Sequence, residues 1–119
     1  MKALLDKSDQ PLKRVFLVGL ETPARSAWEV HDSLEELAEL ASTAGAEVAG
    51  KGSQKLEAPV PATYIGSGKA ETFASEARAG GVDSIVFDDE LSGAQAKNLE
   101  GIFGCRVLDR TTLILDIFA

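Results

Sequence analysis

After Arg14, the stretch RVFLVGL (14–20) places Val15, Phe16, Leu17 and Val18 side by side with no polar residue between them, and Gly19 follows. In a strand, successive side chains point to opposite faces. A strand with this sequence is therefore apolar on both faces and must be covered on both. That is the habit of strands in parallel sheets, which are clothed by helices on each side. The rest of the chain has to supply those helices and the neighbouring strands.

It does so in alternation. From about Trp28, the residues Val30, Leu34, Leu37, Ala41 and Ala44 fall on one stripe of a helix, and Gly45 is a natural stop. AEVAGK (46–51) reads as a second, weaker strand. GSQKLEAPVPAT (52–63) has Pro59 and Pro61 and no helical period, so a long loop is expected there, open to motion. A helix is expected over 69–79, ended by Gly80 and Gly81, then a buried strand SIVFD (84–88). ELSGAQAKNLEGIFG (90–104) is a helix in which Ser92 and Gln95 have capping-box spacing and Gly104 closes the end. CRVLD (105–109) is the last strand. Thr111 or Thr112 can cap a further helix whose apolar face holds Leu113, Ile114, Ile117 and Phe118.

The fold class that follows is α/β: a small three-layer domain with a mostly parallel four-stranded sheet and helices on both faces. Right-handed crossovers give strand order 2-1-3-4. Ligands of such sheets bind beyond the C-terminal strand ends, at the switch point. Here that means Leu20 and Glu21, Asp88 and Asp89, and Asp109 and Arg110. Residues 1–13 are expected to be a flexible N-terminus, residues 14–111 the domain, and residues 112–119 the start of a helix that continues into a longer protein.

Composition narrows the function. At 119 residues and 45% hydrophobic, the chain is one domain with a real core. A net charge of −7 argues against a domain that grips nucleic acid by charge alone, and no DNA partner is expected. One cysteine, Cys105, can build neither a disulfide framework nor a zinc site, and it reads as a buried structural thiol. With no secretory signal and no apolar stretch of membrane-spanning length, a cytoplasmic protein without a membrane partner is expected.

YIGSGKA (64–70) invites comparison with a phosphate-binding loop. A P-loop reads G-x-x-x-x-G-K-[ST]. Aligned on Gly68-Lys69, the first glycine is replaced by Thr63, and the magnesium-binding hydroxyl by Ala70. This is not a Walker loop. What remains is Gly66, Ser67, Gly68 and Lys69 at a helix start, where a phosphate of RNA or of a nucleotide could sit. The bland alternative is a glycine turn feeding a helix, with Lys69 solvated. FDDEL offers Asp88 and Asp89 as metal ligands, or merely as turn and helix-start acids. DRTT offers Asp109 and Arg110 as a partner contact, or as a cap with a local ion pair. His31, the single histidine, reads as a helix-flank residue with no catalytic partner, and Trp28 as a packing anchor.

Three segments together, ATYIGSGKAE (62–71), FDDELSGAQAKNLE (87–100) and VLDRTTLILDIFA (107–119), resemble the N-terminal domain of the HflX-type ribosome-associated GTPases, and SLEELAELASTAGAEVAG (33–50) fits the same family. The chain departs from the family's usual residues at Gly93, where proline is usual, and at Thr112, where glycine is usual, and its 52–58 loop is less basic. The resemblance implies a cytoplasmic GTPase that binds the large ribosomal subunit and splits or rescues stalled ribosomes. GTP and magnesium would then be handled by a G domain outside this chain, reached through a helical linker. The resemblance also implies an alternative, ATP binding or hydrolysis by this domain itself, through the YIGSGK turn and the strand ends.

Overall fold

The structure, a computed structural model, describes residues 12–118, so most of the expected flexible lead lies outside the described residues. The elements run β1 (Arg14–Glu21), α1 (Ala27–Thr43), β2 (Glu47–Lys55), α2 (Ser67–Ala79), β3 (Ser84–Phe87), α3 (Gly93–Phe103), β4 (Arg106–Asp109) and α4 (Arg110–Phe118). The sheet has order β2-β1-β3-β4, and every pairing is parallel, as the alternation of elements requires.

The continuous apolar run of β1 divides its side chains between two cores. Phe16, Val18 and Leu20 pack with Phe73, Ala74, Leu99 and Phe103 of α2 and α3. Val15 and Leu17 pack with Val30, Leu34 and Leu37 of α1 and Leu113 of α4. Burying each such side chain contributes roughly 1.5–3 kcal/mol, so β1 anchors the domain from both sides. The capping boxes form: Ser26 with Glu29 starts α1, and Ser92 with Gln95 starts α3. Gly104 ends α3 at φ 70°, a left-handed backbone that glycine adopts without strain. Cys105 is half-buried against the α2–α3 core.

Several sequence expectations are corrected. β2 does not stop at Lys51 but runs to Lys55, so residues 52–55 are strand and not loop. Its sequence shows no apolar alternation there. The strand forms because β1 continues beside it, and Gly52 lets Phe73 lie against it: a Cβ on Gly52 would stand 2.4 Å from the ring. The remaining loop is tied down, with Gln95 Nε2 donating to the Val60 carbonyl and Asn98 Nδ2 to that of Ala62. α2 begins at Ser67, two residues before the expected start. The cap of α4 is neither Thr111 nor Thr112 but Asp109, as the second reading of DRTT has it: its Oδ1 accepts from both the N–H and the hydroxyl of Thr112. Trp28 is not a packing anchor: it is 72% exposed and stacks on His31, centroids 6.0 Å apart. The apolar face of α4 is led by Leu113, which is fully buried, whereas Phe118 is exposed.

Candidate functional site at the strand ends

β1, β3 and β4 deliver their C-terminal ends to one side of the sheet. Asp88 follows β3 directly, and its N–H donates to the Val18 carbonyl, which holds the residue between the strand ends. Its side chain is fully buried. Two arginines enclose it. Arg25 Nη2 lies 2.8 Å from Asp88 Oδ2, and Arg110 Nη1 lies 2.7 Å from Oδ1. Arg25 also donates to the Asp88 carbonyl at 3.1 Å. Arg110 is further held by Ser33 Oγ at 3.2 Å and by an ion pair with Glu36. A buried charge is tolerated only when it is paired and hydrogen-bonded, and this one is paired twice.

The loop between β1 and α1 supplies Arg25. It is closed by reciprocal backbone hydrogen bonds between Thr22 and Arg25, which fix where the guanidinium emerges. Neighbouring side chains are equally committed. Asp89 Oδ2 accepts from the Tyr64 hydroxyl at 2.7 Å, and its Oδ1 from the Glu90 N–H. Burial, then the hydrogen bond to the Asp89 carboxylate, raises the Tyr64 phenol above its ordinary value. Burial alone would raise Asp109, but hydrogen bonds from the Leu91 N–H and from Thr112 outweigh it and hold its carboxyl below the usual range. An open cavity of about 390 Å³ lies over the cluster, with Arg25, Asp88 and Arg110 in its wall.

The YIGSGK turn abuts this cluster through Tyr64. Tyr64 has φ 66°, in the left-handed region where a bulky side chain is strained by roughly 1 kcal/mol or more. The Thr63 hydroxyl donates to the Ile65 carbonyl, and Tyr64 packs edge-on against Phe87, so the turn is held from within. The Gly66 N–H donates to Gln54 Oε1. Ser67 and Gly68 are exposed in the first turn of α2. The Lys69 ammonium lies over the Phe73 ring, 5.3 Å from its centroid.

Of the expected site residues, Asp88 and Arg110 are brought into contact, Asp89 lies beside them, and Asp109 caps α4. Gly66 to Lys69 form a separate patch, linked to the cluster through Tyr64. Leu20 is core, and Glu21 belongs to a different cavity between α1 and β2. Arg25, Ser33 and Glu36 were not singled out from the sequence. A lone cation in the first strand-to-helix loop was the available signal for Arg25. Among the described residues, no three His, Cys, Asp or Glu side chains gather as a metal ion would need. Nor does the cluster fit a nucleotide as it stands: both arginines that could meet phosphates are paired with Asp88.

The family described as "GTP-binding GTPase N-terminal" matches residues 31–119. This chain belongs to that family. The resemblance to the HflX N-terminal domain is borne out as well. GTPase HflX of Flavobacterium psychrophilum is 43% identical over 116 residues, covering 98% of this chain and 28% of that protein. GTPase HflX of Escherichia coli is 44% identical over 88 residues, covering 74% of this chain and 21% of that protein. The chain thus spans about a quarter of the length of the curated relatives it matches. The crystal structure of a mutation variant of SsGBP superimposes with TM-score 0.63 at 18% identity, over 87% of this chain and 31% of that one, which shows a shared fold. No helix among the described residues is long and apolar enough to cross a membrane.

Proposed function

We propose that this domain is the docking and regulatory module of an HflX-type GTPase, the part that meets the large ribosomal subunit while GTP and magnesium are handled by a G domain in cis. In this reading the full-length protein works in the cytoplasm and splits or rescues stalled ribosomes. The observation that carries it is the closed state of the strand-end cluster. Both oxygens of the buried Asp88 already accept from arginine, so the crevice is an internal brace and not an array of unspent catalytic groups. Family membership supplies the rest of the support. The contact surface in this reading is the exposed turn of Ser67 and Gly68 with Lys69 beside it, on a backbone fixed by Tyr64 and Gln54. Asp109 and Arg110 set the direction of α4, which would continue into the linker.

Two measurements test this. Lys69→Ala in the full-length GTPase is expected to weaken co-sedimentation with large ribosomal subunits and to lower the salt slope of binding by about one, the signature of one lost phosphate contact. An unchanged salt series removes Lys69 from the interface. Calorimetric titration of the 119-residue chain with ATP and magnesium is expected to give no saturable heat. Saturable binding would favour the second reading, a nucleotide site in which the arginines exchange Asp88 for phosphate.

A further inference from the structure

α1 lies in the layer it shares with α4, on the side of the sheet opposite α2 and α3. It buries Val30, Leu34, Leu37 and Ala41 toward β1, β2 and α4. At about 100° per residue, the pole of the helix opposite that stripe holds Trp28, Asp32 and Glu39, within roughly 40° of one another and spread over about 16 Å of its length. All three are exposed.

Two features of this face stand out. The first is Trp28, a large apolar side chain that is nonetheless 72% exposed. His31, one turn on, stacks on the indole with ring centroids 6.0 Å apart at 28°. The stack steadies the ring without covering it. The second is charge. The helix carries Glu29, Asp32, Glu35, Glu36 and Glu39 and neither lysine nor arginine. Glu29 is used by the capping box, Glu35 by Lys51 and Glu36 by Arg110. Asp32 and Glu39 make no side-chain hydrogen bond or ion pair among the described residues. The two carboxylates without a partner are thus the two that share a stripe with the exposed indole.

These features call for the same group. The face of an indole attracts a cation, and arginine more than lysine, because a planar guanidinium also stacks. A guanidinium lying on Trp28 keeps N–H donors to spare, and Asp32, one turn along, can accept from them. Glu39 lies about 10 Å beyond Asp32, where a second cation two turns along a partner helix would meet it. The same carboxylates exclude other occupants, since they repel the phosphates of RNA and the same face of a second copy. We propose that the outer face of α1 is a docking surface for a basic helical segment of a partner protein, with an arginine stacked on Trp28 and bonded to Asp32 and a second cation against Glu39. The surface lies across the sheet from the turn that begins α2 and does not depend on the ribosome-facing reading of that turn.

Trp28 is the only tryptophan, so its fluorescence reports the site directly. The test titrates the 119-residue chain with N-acetylated, alanine-rich helical peptides that carry two arginines two turns apart. Saturable quenching is expected, weakening as salt rises. Peptides with lysine for arginine should bind a few-fold more weakly, and those with glutamate not at all. Trp28→Ala, followed by amide NMR in place of fluorescence, should weaken the arginine peptide about fivefold. Asp32→Lys combined with Glu39→Lys should abolish its binding. These side chains are exposed, so the circular dichroism spectrum should stay unchanged. Should the lysine pair unfold the chain, Asp32→Asn with Glu39→Gln decides, with weaker binding and a flatter salt dependence expected. The proposal fails if glutamate peptides bind equally, if either pair of substitutions leaves binding intact, if amide changes map away from α1, or if millimolar peptide changes nothing. Quenching by single-stranded RNA in preference to the arginine peptide would overturn it in favour of a nucleobase platform. A change at Trp28 with rising protein concentration alone would overturn it too, because a second copy would then occupy the face.

Discussion

Arg110→Ala tests whether the strand ends are braced by charge. The substitution strips one of two cations from the Asp88 carboxylate, which has no exposed side-chain surface. Orphaning one member of a buried pair costs about 3–5 kcal/mol, because the remaining charge stays out of water. Arg25 still lies 2.8 Å away, and Arg110 itself is 24% exposed, so the lower end applies, about 3 kcal/mol. Unfolding entropy of roughly 2.1 cal/mol/K per residue puts the chain near 250 cal/mol/K, which makes this loss a fall of about 12 °C in Tm. Urea unfolding followed by far-ultraviolet circular dichroism reads it. Tryptophan fluorescence would not, since Trp28 is already in water in the native state. The decisive comparison is a second background. In Asp88→Asn the carboxylate is gone, and removing Arg110 there is expected to cost less than about 1 kcal/mol, the remainder being its contacts with Ser33 and Glu36. Equal losses in the two backgrounds would refute the reasoning, since the cost would then lie in packing and not in a stranded charge.

Two further outcomes follow from single contacts. Tyr64 is the only tyrosine, so tyrosinate absorbance reports it alone. Its native value is raised above the ordinary 10.0. A raised value means that its contribution to stability is complete below pH 10.0 and is lost as pH climbs toward the native value. The native chain should therefore show no tyrosinate until it unfolds in alkali, and Tyr64→Phe should remove that part of the alkaline loss; ordinary titration at the unperturbed value would contradict the Asp89 contact. Gly52→Ala would set a Cβ 2.4 Å from Cε1 of Phe73, whose ring is buried and cannot swing clear. A loss of about 1–3 kcal/mol in urea unfolding is expected, partly restored by Phe73→Leu, and a neutral result would mean that β2 shifts away from α2 at little cost.

The elements that could be read from the sequence are those whose signals are local. Four consecutive apolar residues specify β1 as buried on both faces, and the Ser92–Gln95 pair with Gly104 frames α3 almost to the residue. Strand order follows from alternation and handedness alone. What escaped depends on residues distant in sequence. Nothing in KGSQK signals a strand; β1 imposes it, and the glycine that looks like a loop residue is where Phe73 must pass. Trp28 lies two positions before Val30 and so falls off the apolar stripe, a clue that outweighs the general tendency of tryptophan to be buried.

The candidate site divides in the same way. Asp88 and Arg110 were placed at the switch point by topology, and the structure joins them. Arg25 reaches Asp88 across 63 residues, and Ser33 reaches Arg110 across 77, separations at which no spacing rule operates. Topology can say which strand ends converge; it cannot say whether the side chains delivered there are spent on one another or held open for a ligand. That distinction rests here on the burial of a single carboxylate. Because Asp88 is sealed from water, it must recruit both cations, and recruiting them ties the β1–α1 loop, the end of β3 and the first residue of α4 into one unit. The charges that made the strand ends look like a nucleotide site are the same ones that fix the direction in which α4 leaves the sheet.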